Sequence, residues 1–377
     1  MKIAILTLPL HTNYGGILQA YALQTVLERM GHEVEVLQQA AFQVHSEWLM
    51  PLVYAKRFAY RLLGNKNIEF FSEIRHKRER PIIERNTSKF IEQYIHLRFI
   101  KSFSDISQND YDAIVVGSDQ IWRKLYFRSR RSKISNAFLD FTEGWNIKRV
   151  AYAASFGLDN INEYTQRDVE TCRKSLQRFY AVSVREDSGV EICNDAFGVN
   201  ARHLIDPTML LDKNDYETLV SQSNIQKSDG DMMCYILDQT HFKKKIISSI
   251  AQSYGLKPFR VNADVDNYYI PVEERVQPPI ESWLRGFMDA NFVVTDSYHA
   301  CVFSIIFNKP FIVIGNTDRG MGRFTSLLTS FGMEDRLIID LENIDVSQRL
   351  KMHLCDVSDV LKEKRELAFN FLDSINR

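Results

Sequence analysis

The chain alternates short apolar runs with longer stretches whose apolar residues recur every three or four positions. Ile3 to Leu8 is a continuous apolar run and predicts a strand. Asn13-Tyr14-Gly15-Gly16 predicts a turn, and Ile17 to Met30 has helical spacing through Leu18, Tyr21, Ala22, Thr25, Val26 and Arg29. Gly31 ends that helix, and Val34-Glu35-Val36-Leu37 is the next strand. A strand apolar on both faces followed by a helix implies a parallel sheet. The rhythm continues with strands at Ala113–Val116, Arg149–Ala153 and Tyr180–Val184 and a helix near 164–178.

The second half repeats the plan. Strands are expected at Met233–Leu237, Pro258–Val261, Phe292–Thr295, Phe311–Ile314 and Leu337–Ile339. Helices are expected at Phe242–Tyr254, Ile280–Met288, Ala300–Phe307 and Arg323–Phe331, with a C-terminal helix after the last strand. The fold class is therefore α/β, with two Rossmann-like domains facing across a cleft where strand ends bind ligand. The division expected is 1–195 and 196–377, within a boundary region of about 185–210 interrupted by Asp206-Pro207-Thr208. The last helix is expected to pack back on the N-terminal domain.

Residues from 45 to about 100 depart from this rhythm and suggest a helical insertion. The insertion is basic: residues 56–89 carry ten Lys and Arg against four Glu. Its aromatics Phe58, Tyr60, Phe70 and Phe71 have helical spacing and are expected to pack inward. The basic face suits weak, reversible contact with an anionic membrane. The whole chain has a formal net charge of −1, so nothing draws it to nucleic acid as a molecule.

Five widely spaced cysteines, none in a CxxC pair, read as buried thiols of a reducing compartment. The first apolar run stops at Pro9 with no cleavage site after it, which argues against a signal peptide. No apolar stretch approaches the ~20 residues of a membrane span. A cytoplasmic protein is expected.

Four strand ends carry candidate chemistry. Asn13, Tyr14, Gly15 and Gly16 precede a helix whose exposed N–H groups favour an anion; a tight βα turn is the plainer alternative. Ser118, Asp119 and Gln120 follow the apolar run at 113–116 and combine a hydroxyl, a carboxylate and an amide, or else cap a helix. After them, residues 123–133 hold six basic residues and no acid, either a lid that grips an anion or a solvated charge run. Arg185 stands where another strand ends, suited to a carboxylate or phosphate or to pairing with Glu186 or Asp187. His299 lies in the first turn of a helix beside Asp296 and Ser297, placed for proton transfer near neutrality. The next turn adds Arg319 and Arg323. No metal-ligand spacing, P-loop or GxSxG elbow is present.

Together Asn13 to Gln24, Val116 to Trp122, Ala151 to Gly157, Ser183 to Glu186, Asp206 to Thr208, Thr295 to His299 and Asn308 to Phe311 resemble the polysaccharide pyruvyl transferase family, in family order. The resemblance implies a fold similar to GT-B glycosyltransferases. It also implies transfer of a pyruvyl group from phosphoenolpyruvate to two hydroxyls of a sugar, giving a cyclic ketal. His299 then matches the family's active-site histidine and Arg185, Arg319 and Arg323 hold the donor. Asp119, Gln120 and Asp296 orient sugar hydroxyls or His299. Some members use lysine where this chain has Arg319 and Arg323. The implied acceptor is a nucleotide- or lipid-linked sugar, and no metal or cofactor is implied beyond phosphoenolpyruvate as donor substrate. Two rivals are a GT-B glycosyltransferase that uses a nucleotide sugar and a sugar- or anion-binding protein without turnover.

Overall fold

The protein is described by a computed structural model for residues 1–39, 49–64, 71–127, 133–315, 320–339 and 357–376. Its first sheet starts with β1 (Lys2–Leu6), α1 (Tyr14–Arg29) and β2 (Glu33–Gln39). Three helices follow, α2 (Met50–Leu62), α3 (Ser72–Ile83) and α4 (Arg85–Tyr94), before β3 (Leu97–Ile100). The sheet is completed by β4 (Ala113–Val116), β5 (Lys148–Ala154), β6 (Ala181–Val184) and β7 (Arg202–His203), with α5 (Gln166–Leu176) and α6 (Asp187–Phe197) as crossovers. Seven strands pair in the order β3-β2-β1-β4-β5-β6-β7. Every pair is parallel.

After α7 (Lys213–Ser221) come β8 (Met232–Tyr235), α8 (His241–Tyr254), β9 (Pro258–Phe259) and α9 (Ile280–Asp289). Next are β10 (Phe292–Thr295), α10 (Tyr298–Ile306), β11 (Phe311–Ile314), α11 (Gly322–Ser330), β12 (Leu337–Ile338) and α12 (Ser358–Asp373). These strands form a second parallel sheet, β12-β11-β10-β8-β9.

Alternation along β1 explains how the sheet joins two cores. Ile3 and Ile5 face a core shared with α1, α9 and α10 that continues into the second sheet at Met233 and Val293. Ala4 and Leu6 face the other side, where Trp122 stacks on Phe138 with ring centroids 4.8 Å apart. The central strands are buried on both faces, which is why they read as unbroken apolar runs.

Several boundaries differ from the sequence expectation. The helix α1 begins at Tyr14, so Gly15 and Gly16 form its first turn instead of the predicted βα turn. The insertion contains β3, which pairs with β2, although its mixed sequence Leu-Arg-Phe-Ile has no clear period. The segment after Arg185 is the helix α6, hidden from the sequence by Gly189, which packs against Val184 within the first turn. The first sheet takes its last strand, β7, from residues that the sequence division assigned to the second domain.

The aromatics of the insertion differ too. Phe58, Tyr60 and Phe71 are exposed, while Phe70 lies outside the described residues. Four of the cysteines (Cys172, Cys193, Cys234 and Cys301) are free and buried, and Cys355 lies outside the described residues. Among the described residues no helix is long and apolar enough to cross a membrane.

Candidate functional site

The two sheets point their strand ends at one cavity of about 600 Å³. Its walls come from the loops after β1, β4, β8 and β9 and from the first turns of α10 and α11. His299 is buried there, in the first turn of α10. The opposite side of its ring meets Gly15: a Cβ on that residue would stand 2.1 Å from both Cγ and Nδ1 of the imidazole. The glycine is therefore needed for this approach of the second domain's histidine to the first domain's helix, and not for a turn.

Nε2 of His299 lies 3.6 Å from Asp206 Oδ2 and makes no hydrogen bond among the described residues. Asp206 is itself fully held. Its Oδ1 accepts from the Thr208 backbone N–H at 3.0 Å and hydroxyl at 2.8 Å, and its Oδ2 accepts from Arg185 Nη1 at 2.8 Å. Burial alone would raise the Asp206 carboxyl. The His299 imidazole and Arg185 beside it more than offset burial and hold it well below the usual carboxylate range.

Arg185 does not face the cavity. Its side chain is fully buried, with the guanidinium 4.3 Å from the centre of the Tyr298 ring and Nη2 3.7 Å from Asp119. Burial opposes its charge, but Tyr298, Asp206 and Asp119 outweigh that and tighten its proton. The expected donor ligand is thus a buried brace that ties β6 to Asp206 and Asp119. Arg323 does line the cavity, 5.7 Å from the centre of the Tyr298 ring. Burial, and then the neighbouring Arg185, pull the Arg323 guanidinium below the usual arginine value. Arg319 and residues 128–132 of the basic run lie outside the described residues. Of that run, Arg123 pairs with Glu163 at 3.4 Å and Lys124 with Asp168 at 2.6 Å.

The remaining expected residues divide into two groups. Asn13, Asp119, Gln120 and Ser297 line the cavity, and Asn13 Nδ2 and Asp119 Oδ2 flank Gly16. Gln120 Oε1 also accepts from Arg123 at 3.2 Å. Tyr14 and Ser118 are committed elsewhere. The Tyr14 hydroxyl donates to the carbonyls of Pro278 at 2.8 Å and Val261 at 3.2 Å, which makes it a bridge between domains. Ser118 Oγ donates to the Ala153 carbonyl at 2.6 Å.

Asp296 borders the cavity but accepts from Lys243 Nζ at 2.6 Å and from the Leu237 and Asp238 N–H groups at 2.7 and 3.1 Å. Those contacts fasten α8 and the end of β8 to β10. They leave Asp296 bound to its own domain, not to His299.

Sequence reasoning gave four residues no role at the site, although Asp206 and Glu186 stand in the motifs that carry the family resemblance. Asp206 looked like an interruption between domains because a lone Asp-Pro-Thr carries no periodicity. Glu186 is buried and accepts from Ser155 Oγ at 2.7 Å and the Phe156 N–H at 2.8 Å, shaping the loop after β5. His11 and Asp266 enter the same cavity from opposite domains. Burial, followed by Arg80, lowers the His11 pKa to about 4. Single polar residues in loops gave no signal for either. Among the described residues no group of three or more His, Cys, Asp or Glu is placed to hold a metal ion.

Two parallel α/β sheets meet at their strand ends around this polar cavity, as expected of two Rossmann-like domains facing across a cleft. Residues 13–319 match the family model for polysaccharide pyruvyl transferase. The chain belongs to that family, and it is a transferase.

Among solved structures it is similar to the UDP-GlcNAc 2-epimerase from Neisseria meningitidis bound to UDP-GlcNAc, with 10% identity over 98% of this chain and 94% of the other and a TM-score of 0.47. The UDP-GlcNAc 2-epimerase from Methanocaldococcus jannaschii is 12% identical over 98% of this chain and 100% of its own, with a TM-score of 0.46. Arabidopsis thaliana UGT89C1 complexed with UDP-L-rhamnose is 8% identical over 98% and 94%, with a TM-score of 0.47. No curated protein matches in sequence.

Proposed function

We propose that the protein transfers a pyruvyl group from phosphoenolpyruvate to two hydroxyls of a sugar in a cell-surface polysaccharide precursor, forming a cyclic ketal. The observation that carries this reading is the pairing of His299 with Arg323 in one cavity wall, with Asp206 behind the imidazole. Phosphoenolpyruvate brings a carboxylate and a phosphate, and Arg323 supplies a buried cation for one of them. Arg319 is the proposed partner for the other.

His299 gives a proton to the methylene carbon as a sugar hydroxyl oxygen bonds to the neighbouring carbon. The carbon–oxygen bond to phosphate then breaks, and the second hydroxyl closes the ketal. Two hydroxyl protons leave in the sequence; one restores His299 and the other departs with phosphate. Asp206 pairs with the ring while it carries its proton, and Arg185 keeps Asp206 ionised for that task. No metal or cofactor enters these steps.

The acceptor is a nucleotide- or lipid-linked sugar, whose hydroxyls meet Asp119, Gln120 and Asn13 on the facing wall. The reaction places the protein on the cytoplasmic side, where phosphoenolpyruvate is made.

A phosphate-release assay with phosphoenolpyruvate and a panel of nucleotide- and lipid-linked sugars tests the reading. Phosphate release that falls at least about a hundredfold in His299→Ala is expected. Near-normal turnover of that variant at saturating donor and acceptor would overturn the assignment. Release of a nucleoside diphosphate from a nucleotide sugar would replace it with glycosyl transfer.

A further inference from the structure

We propose that α2 is a docking helix for an anionic lipid bilayer. A water-soluble protein turns the apolar side of a surface helix inward. This helix does the reverse: none of its 13 residues is buried. Phe58 is 55% exposed, Leu62 74% and Leu63, at its C-cap, 81%; Leu52 is exposed as well.

At 100° per residue, Leu52, Ala55, Phe58, Ala59, Leu62 and Leu63 fall on one continuous side. The other side is attached to α3. Arg57 forms a two-pronged pair with Glu73 at 2.6 and 2.7 Å, and Tyr54 packs edge-on against Phe71. The apolar stripe is thus held outward by contacts that fix the helix orientation.

Charge selects the occupant. Lys56 borders the stripe, α2 contains no acid, and α3 adds the exposed Lys77. A second copy of the chain would oppose these cations with their own equivalents, since a two-fold interface brings the same patch to both sides. An anionic bilayer satisfies both features at once, because it buries the apolar stripe and attracts the cations.

The helix is also linked to the cavity. On α3, Arg75 stacks 3.8 Å from the centre of the Tyr268 ring, and Glu79 pairs with Arg275 at 2.7 Å. These contacts join α3 to the loop that supplies Asn262, Asp266 and Asn267 to the cavity wall. The same loop carries Tyr269, 97% exposed, an amphipathic ring of the kind that settles at lipid headgroups. Docking through α2 holds the protein at the bilayer surface, where an acceptor carried in the membrane is concentrated. That substrate class rests on the proposed pyruvyl transfer; the docking itself does not.

The test is co-sedimentation of the full chain with vesicles of neutral phosphatidylcholine, or with about 30% phosphatidylglycerol added. Binding to the anionic vesicles only, weakened by salt, is expected. The double variant Leu62→Glu, Leu63→Glu should bind roughly tenfold less with an unchanged melting temperature. Phe58→Trp should show a blue-shifted emission on anionic vesicles. Absence of binding by the wild type, or equal binding by the double variant, overturns the proposal. So does a dimer in light scattering that the double variant converts to monomer, which would make the face an interface between copies.

Phosphate release separates this from the reaction. The double variant should keep its rate on a water-soluble acceptor and lose it on a vesicle-embedded one. No release with either acceptor counts against the transfer reading and leaves vesicle binding to decide the docking.

Discussion

A methyl group at position 15 would occupy the space of the His299 ring, 2.1 Å from Cγ and Nδ1. Helix propensity favours alanine over glycine by about 1 kcal/mol, so Gly15→Ala should leave α1 formed. The side chain must then shift, which disturbs the approach of Nε2 to Asp206 and the place of the imidazole in the cavity wall. We expect a lower melting temperature, because the clash also reaches the His299 Cβ at 2.6 Å and overpacking costs about 1–3 kcal/mol, and turnover reduced at least about tenfold.

His11 gives a second prediction at this scale. Its pKa falls from about 6.5 to about 4 on folding. The unfolded chain therefore takes up its proton first as the pH drops. Stability is greatest above pH 6.5 on this account and is lost progressively down to about pH 4, by at most about 3 kcal/mol. His11→Gln should flatten that part of the profile of melting temperature against pH. At neutral pH His11 is uncharged and can accept a proton but not donate one.

Among the elements, β10 and its following turn do two jobs. The turn leads into α10 and presents His299, while Asp296 fastens that turn to the end of β8 and, through Lys243, to α8. The Lys243–Asp296 pair is buried on both sides. Lys243→Met leaves an ionised carboxylate without its main partner, a loss of about 3–5 kcal/mol. Urea denaturation should show this as a lower midpoint with an unchanged slope. Any remaining folded protein should lose turnover as well, because the histidine's platform is held from below by this clamp.

For the whole molecule, the domains do not stand apart. Tyr14 reaches Pro278 and Val261, Ser326 on α11 accepts from the Asp187 N–H on α6 at 3.1 Å, and α12 returns to the first sheet. There Phe371 meets the Tyr152 ring at 6.1 Å, and Lys148 Nζ donates to the Ile375 carbonyl at 2.7 Å. Upstream on α12, Arg365 donates to the carbonyls of Met209 and Leu211. One core running through both sheets predicts that they unfold together. Phe371→Ala removes a buried ring from that seam and should cost about 3–5 kcal/mol. Calorimetry should show a single transition displaced downward. Two separate transitions would mean that the sheets melt independently.

How much of this was legible in the chain follows from what each signal depends on. The strands β4, β10 and β11 were placed by their apolar runs, because burial on both faces leaves a local pattern. The alternation of strand and helix likewise determined two parallel α/β sheets, and the turn before α10 marked His299. Mixed or edge elements left no such trace: β3 is short and partly exposed, β7 is two exposed residues, and both are recognised only through their partners.

Roles at the site depended on packing across hundreds of residues. Arg185 had the composition of an anion ligand, yet the Tyr298 ring closes over it and turns it into a brace for Asp206. Asp206 resembled a linker until both domains folded around it. Gly15 suggested a turn when its purpose was space for a histidine 284 positions later. Periodicity records which face of an element is buried, and that is local. The direction of a charged side chain is chosen by partners that only the tertiary structure brings near.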